Sequence, residues 1–204
     1  MQINIKNFPA VTLVELLVVL TIMGIVAALT VPALKNHSQR TEYAKLAQKG
    51  YIQLEQAIDA AVVKTGQEPD DWTRPDVASF LMRDYLGEHF VGARNCIGNY
   101  SQNNACFKGY RKFKSSSKSS PTVRAMMLAD GIVIAGDGTG GGARFIIDVN
   151  GPSEPNMEGV DVFIFSFGKY DVDCNTKSAS GQWKLCPRDH AQNVVQDNWT
   201  ITYW

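Results

Sequence analysis

Residues 8–34 read FPAVTLVELLVVLTIMGIVAALTVPAL. From Leu16 to Leu34, nineteen consecutive residues carry no charge. At about 1.5 Å per helical residue they span close to 30 Å, the thickness of a bilayer's hydrocarbon. The stretch therefore predicts a membrane-spanning helix. One acid, Glu15, stands at its head, where an ionisable group is costly and usually has a partner. Thr12-Leu13-Val14-Glu15 has the S/T-x-x-E form of a capping box, and a first-turn glutamate meets the positive end of the helix dipole, worth roughly 0.3–1 kcal/mol. Three uses compete for the segment: a secretory signal peptide, a plain anchor, and a helix that enters the membrane and later leaves it for a polymer. A signal peptide has an apolar run of about 7–15 residues before a small-residue cleavage site. Here the run is longer, an acid sits at its head, and Val31-Pro32-Ala33 is a poor site. A plain anchor explains the length but gives Glu15 no role beyond capping.

Downstream, Lys35 to Lys64 turns polar but keeps an apolar stripe at Tyr43, Ala47, Tyr51, Leu54, Ile58, Ala61 and Val62. Intervals of three and four mark an amphipathic helix, and Gly66 is its stop signal. Continuous from Thr12, the helix has about fifty residues and a length of roughly 80 Å; the alternative is that Pro32 splits it in two. Gln67 to Asp71 is a connection, and Pro75 to Tyr85 has helical spacing. Strands then dominate: Thr122 to Leu128, Ile132 to Ala135, Arg144 to Val149 and Val160 to Phe167, separated by turn residues. Trp199 to Trp204 is a further candidate, as an edge strand. Helices followed by a meander give an α+β fold, with an antiparallel sheet packed on the amphipathic half of the long helix.

The totals limit what else the chain can be. At 204 residues and 45% hydrophobic content it can bury a core, and with 20 basic and 20 acidic residues it has no global charge to attract a polyanion. The four cysteines fall in two close pairs, Cys96 with Cys106 and Cys174 with Cys186. That usage suits disulfides closed in an oxidising compartment. Of the three connectivities the local one is preferred, and zinc is disfavoured because no CxxC spacing occurs. The first pair lies in an irregular region whose loop is expected to have little apolar packing of its own.

The run Ala10-Val11-Thr12-Leu13-Val14-Glu15-Leu16-Leu17 resembles the processing and methylation motif of type IV pilins and type II secretion pseudopilins. In that family a membrane peptidase removes a short leader just before the mature helix, and glutamate is the fifth residue of the product. A cut after Ala10 makes Glu15 the fifth residue, Gly24 the fourteenth and Pro32 the twenty-second, the last two matching helix-weakening positions. The family usually has glycine before the cut and phenylalanine after it, whereas this chain has Ala10 and Val11, with Phe8-Pro9 shifted upstream. The resemblance implies a leader over 1–10, a transmembrane and assembly helix over 11–34, its amphipathic continuation over 35–66, and a periplasmic or extracellular α+β domain over 67–204. It further implies an inner-membrane precursor whose partners are prepilin peptidase, an assembly platform, lipid before assembly, and other subunits. Glu15 would pair with the freed amino group of Val11, on its own or a neighbouring subunit. The alternative is a periplasmic binding or enzymatic domain on a plain anchor.

Other motifs are weaker. Gly136 to Gly142 suggests a phosphate cradle, but it lacks the lysine of a P-loop and a strand follows it. Asp148-Val149-Asn150-Gly151 through Glu158 and Asp161 gathers oxygen ligands as the start of an EF-hand does, although Pro152 and Gly159 occupy two of its ligand places. Asp148, Asn150 and Asp161 are thus calcium candidates. Lys108, Arg111, Lys112, Lys114 and Lys118, interleaved with Tyr110 and Phe113, could contact DNA, but the serines around them favour a solvated, mobile loop. No G-x-S-x-G occurs and no histidine stands in a recognised catalytic signature, so no enzymatic activity is expected.

Overall fold

The computed structural model describes residues 12–69, 81–96, 106–119, 123–137, 143–178 and 180–203. The proposed cleavage pair Ala10 and Val11, the residues 75–80, most of the glycine run after Gly136 and the Cys96–Cys106 loop interior lie outside them. Helix α1 runs Leu13–Thr65 with Pro32 inside it. Proline leaves the Ala28 carbonyl without its intrahelical donor, yet the helix continues. It stops at Gly66, whose φ of +63° and amide bond to the Val62 carbonyl at 2.9 Å make a left-handed cap. The chain divides into two units, Met1–Gln39 and Arg40–Trp204.

Within the second unit a six-stranded antiparallel sheet has the order β1-β4-β5-β6-β7-β8. Its strands are β1 (Arg94–Asn95), β4 (Val123–Met127), β5 (Val133–Asp137), β6 (Ala143–Asp148), β7 (Val162–Tyr170) and β8 (Gln182–Pro187). A separate hairpin pairs β2 (Tyr110–Arg111) with β3 (Lys118–Ser119), and a short helix, α2, spans His190–Gln196. The long α1 followed by an antiparallel meander is the expected α+β arrangement.

Alternation along the strands sends two sets of side chains to opposite faces. Ile134, Phe145, Ile147, Phe163 and Phe165 join a core with Ala44, Ala47, Leu54, Ala57, Ile58 and Ala61 of α1. The approach is close: a Cβ on Gly50 would lie 2.8 Å from Ile147 Cγ2. On the other face Ala135, Ile146, Val162 and Ile164 pack with Cys96, Cys106, Phe107 and Tyr110. The central strands are therefore covered on both sides, which is why they read as near-continuous apolar runs.

Three expectations meet the structure here, and one is corrected. The Cys96–Cys106 disulfide forms as expected, with its cysteines 5% and 1% exposed within that second cluster, so it ties the loop's two ends to the sheet, and the loop between them lies outside the described residues. The serine-rich basic stretch closes a short hairpin through β2 and β3, with Tyr110 buried at its base, while Arg111, Lys112 and Lys114 to Lys118 are exposed as expected. Trp199–Tyr203 forms no strand: Trp199 has φ +57°, outside the extended region, and β8 takes the place beside β7.

Candidate functional site

Every residue from Thr12 to Ser38 is exposed. This segment includes the part of α1 that is long and apolar enough to cross a membrane, and none of that span is buried within the chain. The polar side chains Thr12, Glu15, Thr21 and Thr30 are bonded within the helix. Thr12 donates its backbone amide and its hydroxyl to Glu15 Oε2, each at 2.8 Å, and the Glu15 amide donates to Thr12 Oγ1 at 3.2 Å. The capping box thus forms. Thr21 and Thr30 donate their hydroxyls to the carbonyls of Leu17 and Val26, one turn back, the arrangement a helix needs where no water is available. At Gly24 nothing lies within 4 Å of where a Cβ would stand. No packing among the described residues requires glycine there.

The second gathering of polar groups lies in the turn from β6 to β7. Asp148 ends β6 and Asp161 precedes β7, and the Val149 amide donates to the Asp161 carbonyl at 2.9 Å. The Asp161 carboxylate accepts the amides of Asn156 at 2.8 Å and Met157 at 2.6 Å. The Asn150 side-chain amide donates to Tyr43 Oη of α1 at 3.3 Å and to the Glu154 carbonyl at 3.2 Å. Burial, and then the charge of Asp161, pushes the Asp148 carboxyl up to about 8. Burial likewise raises Asp161. The structure therefore brings Asp148, Asn150 and Asp161 together and adds Tyr43 and Asn156, which the sequence reading missed. Asn156 had a signal: counted from Asp148 it stands ninth, a ligand place of an EF-hand loop.

Elsewhere the basic residues are spread along the β2–β3 hairpin, where Arg111 lies 3.7 Å from Glu154 and both are exposed. A cleft of about 370 Å³ beside the hairpin takes in Lys112, Phe113, Arg188 and His190. His190 Nδ1 lies 3.6 Å from Glu158 Oε1 and Tyr203 Oη donates to the Gly159 carbonyl at 2.8 Å. Gly136 and Asp137 belong to β5, and Asp137 is paired with Arg144, so neither opens a phosphate cradle.

An exposed apolar helix with an internally capped acid at its head is thus the chain's most unusual feature. Residues 6–31 match the family model of the prokaryotic N-terminal methylation motif. The chain carries that motif, the signature of type IV pilin and pseudopilin precursors. No curated protein and no solved structure matches the chain. The methylation motif covers Ala10, Val11, Glu15 and Gly24 and ends one residue before Pro32. It supports a pilin-like or pseudopilin precursor and points to a structural subunit in place of an enzyme. Together with the apolar helix it fits anchoring in the inner membrane.

Proposed function

We propose that the protein is a subunit of a type IV pilus or type II secretion filament, cut after Ala10 by a prepilin peptidase and polymerised through the first half of α1. The observation that carries this reading is the complete exposure of residues 12–38. Roughly 25 cal/mol per Å² favours removing such a surface from water, and among the described residues nothing covers it. Lipid covers it before assembly. Equivalent helices of other subunits cover it afterwards.

Glu15 supplies register. A carboxylate moved from the bilayer edge into a bundle of apolar helices is costly unless a cation meets it, and the amino group freed at Val11 by cleavage is that cation. Gly24 and Pro32 weaken the helix between them, so that it adjusts during polymerisation. The unit Arg40–Trp204, with its two disulfides, forms the surface that the fibre presents in the periplasm or beyond it.

The test is the mature N-terminus. Filaments sheared from cells and analysed by mass spectrometry are expected to yield a polypeptide beginning at N-methylated Val11. A chain still beginning at Met1, or one starting after Ala33, would overturn the reading.

A further inference from the structure

The cleft beside the β2–β3 hairpin gathers charges of both signs that stay unpaired. Glu158 is 6% exposed, and among the described residues its carboxylate accepts no hydrogen bond and has one ion-pair partner, the His190 ring, 3.6 Å away. That distance is too long for a hydrogen bond, and His190 Nδ1 is itself buried without one. Arg188 and Lys112 are exposed, line the same cleft, and make no ion pair or side-chain hydrogen bond among the described residues. The backbone brings these groups together. The Arg188 amide donates to the Ile164 carbonyl at 2.9 Å, which continues the β7–β8 register and sets Arg188 opposite Ile164, on the sheet face that Tyr110 covers. The Glu158 amide donates to the Arg111 carbonyl at 2.9 Å, and the parallel bridge of Met157 with Arg111 sets Glu158 beside Lys112. His190 is held by Phe113, ring centroids 4.9 Å apart, and by Gly159, where a Cβ would lie 2.6 Å from the His190 Cβ. Before it Asp189 has φ +48° and ψ −120°, a backbone region rare for residues with a side chain and recurrent at ligand sites.

The opposed charges select the ligand. A metal ion suits Glu158 and His190 but is repelled by Arg188 and Lys112, and a simple anion suits the two cations but is repelled by Glu158. A neutral sugar leaves all of these charges without a counter-charge, which is costly for the buried one. A proton on His190 neutralises Glu158 and leaves both cations unmatched. A molecule carrying an ammonium and a carboxylate matches both signs at once: the ammonium meets Glu158, and the carboxylate takes the two-pronged fork of Arg188. The rings of Tyr110 and Phe113 and the side chain of Ile164 leave an apolar wall for the rest of it. With a volume of about 370 Å³, the cleft stands at the small end of the range of about 300–1,000 Å³ for small-molecule sites. We propose that it binds a free α-amino acid with an apolar side chain, held by Glu158 at the ammonium and by Arg188 at the carboxylate. The proposal is independent of the filament reading.

The test uses the full chain, purified in detergent micelles. Equilibrium dialysis with radiolabelled L-phenylalanine is expected to show one saturable site per chain. Two analogues each lack one charge: N-acetyl-L-phenylalanine has no cation, and L-phenylalaninamide has no anion. Each should compete at least about tenfold more weakly than L-phenylalanine, the loss of one charge-assisted hydrogen bond. Glu158→Gln should weaken L-phenylalanine by a similar factor. If that buried change prevents folding, Arg188→Gln, at an exposed position, tests the other end of the ligand. It should weaken L-phenylalanine about tenfold and leave L-phenylalaninamide unchanged. Absence of saturable binding would overturn the proposal. So would equal competition by either analogue, or wild-type affinity for L-phenylalanine in Arg188→Gln.

Discussion

Glu15 Oε2 accepts both the backbone amide and the hydroxyl of Thr12, each at 2.8 Å. The acid at the head of the apolar helix therefore already has a local partner, and under the filament reading the same carboxylate serves both capping and assembly. They can be separated, because glutamine also closes a capping box. Glu15→Gln should keep the helix start, whereas Glu15→Leu should lose it at a cost of about 1 kcal/mol. Both should remain in the membrane, and both should enter filaments far less than wild type, because neither can meet the Val11 amine with a charge. Immunoblots of sheared fibres against membrane fractions would read this, and normal incorporation of Glu15→Gln would reduce Glu15 to a cap.

Two glycines of α1 should respond in opposite ways. At Gly50 a Cβ would meet Ile147 Cγ2 at 2.8 Å and Ile132 Cγ2 at 3.3 Å, both stiff branch methyls. Gly50→Val should therefore cost about 1–3 kcal/mol by overpacking. Gly24 has open space around it, so Gly24→Ala should stiffen the helix by about 1 kcal/mol without lowering the Tm of the purified chain. Under the filament reading the same change lowers assembly. Melting curves in detergent and fibre yields in cells give the two readouts.

The architecture was readable where periodicity was long. The apolar run after Glu15 and the stripe from Tyr43 to Val62 cover enough turns to define α1, and Val123 to Phe167 is rich enough in apolar residues to mark strands on either side of turn signals. Short elements were not readable. In β8 only Trp183 and Leu185 alternate against polar neighbours, and α2 buries just Ala191 and Val194, too few points to fix a period. The packing of Cys96 and Cys106 on the back of the sheet was hidden for another reason. It depends on contacts between residues distant in sequence, whereas the local composition of that region is dominated by turn residues such as Gly98, Asn99, Asn103 and Asn104. The β6–β7 cluster was half legible, since Asp148, Asn150 and Asp161 are spaced as loop ligands while Tyr43 reaches them from a helix more than a hundred residues away.

The two disulfides should differ in worth. Their separations of 10 and 12 residues predict nearly equal loop-entropy contributions of about 3 kcal/mol. Packing breaks the tie. Cys96 and Cys106 are both buried in the cluster that covers one face of the sheet, whereas Cys174 lies half-buried in the β7–β8 turn. Replacing Cys96 and Cys106 together by alanine should lower stability more than replacing Cys174 and Cys186, and should also expose apolar surface to a hydrophobic dye. Denaturant titration of the two double variants would measure the gap, and equal midpoints would show that the covering layer contributes little.

The β7–β8 turn carries a pH dependence whose sign is set by Asp171. Its carboxylate accepts the Thr176 hydroxyl at 2.8 Å, the Asn175 amide at 2.8 Å and the Thr176 amide at 3.2 Å. These bonds, led by the one from the Thr176 hydroxyl, hold its pKa below the ordinary aspartate range. All of them favour the charged form. The support they give the turn is thus fully present above the unfolded-state value near about 3.9, and it is lost as pH falls through the lower folded-state value. Thr176→Val removes the largest contribution. In a carboxyl-detected titration of the labelled chain, Asp171 should titrate below a model peptide, and the valine variant should bring it back upward. An Asp171 midpoint that does not move in the variant would show that the backbone amides alone set it.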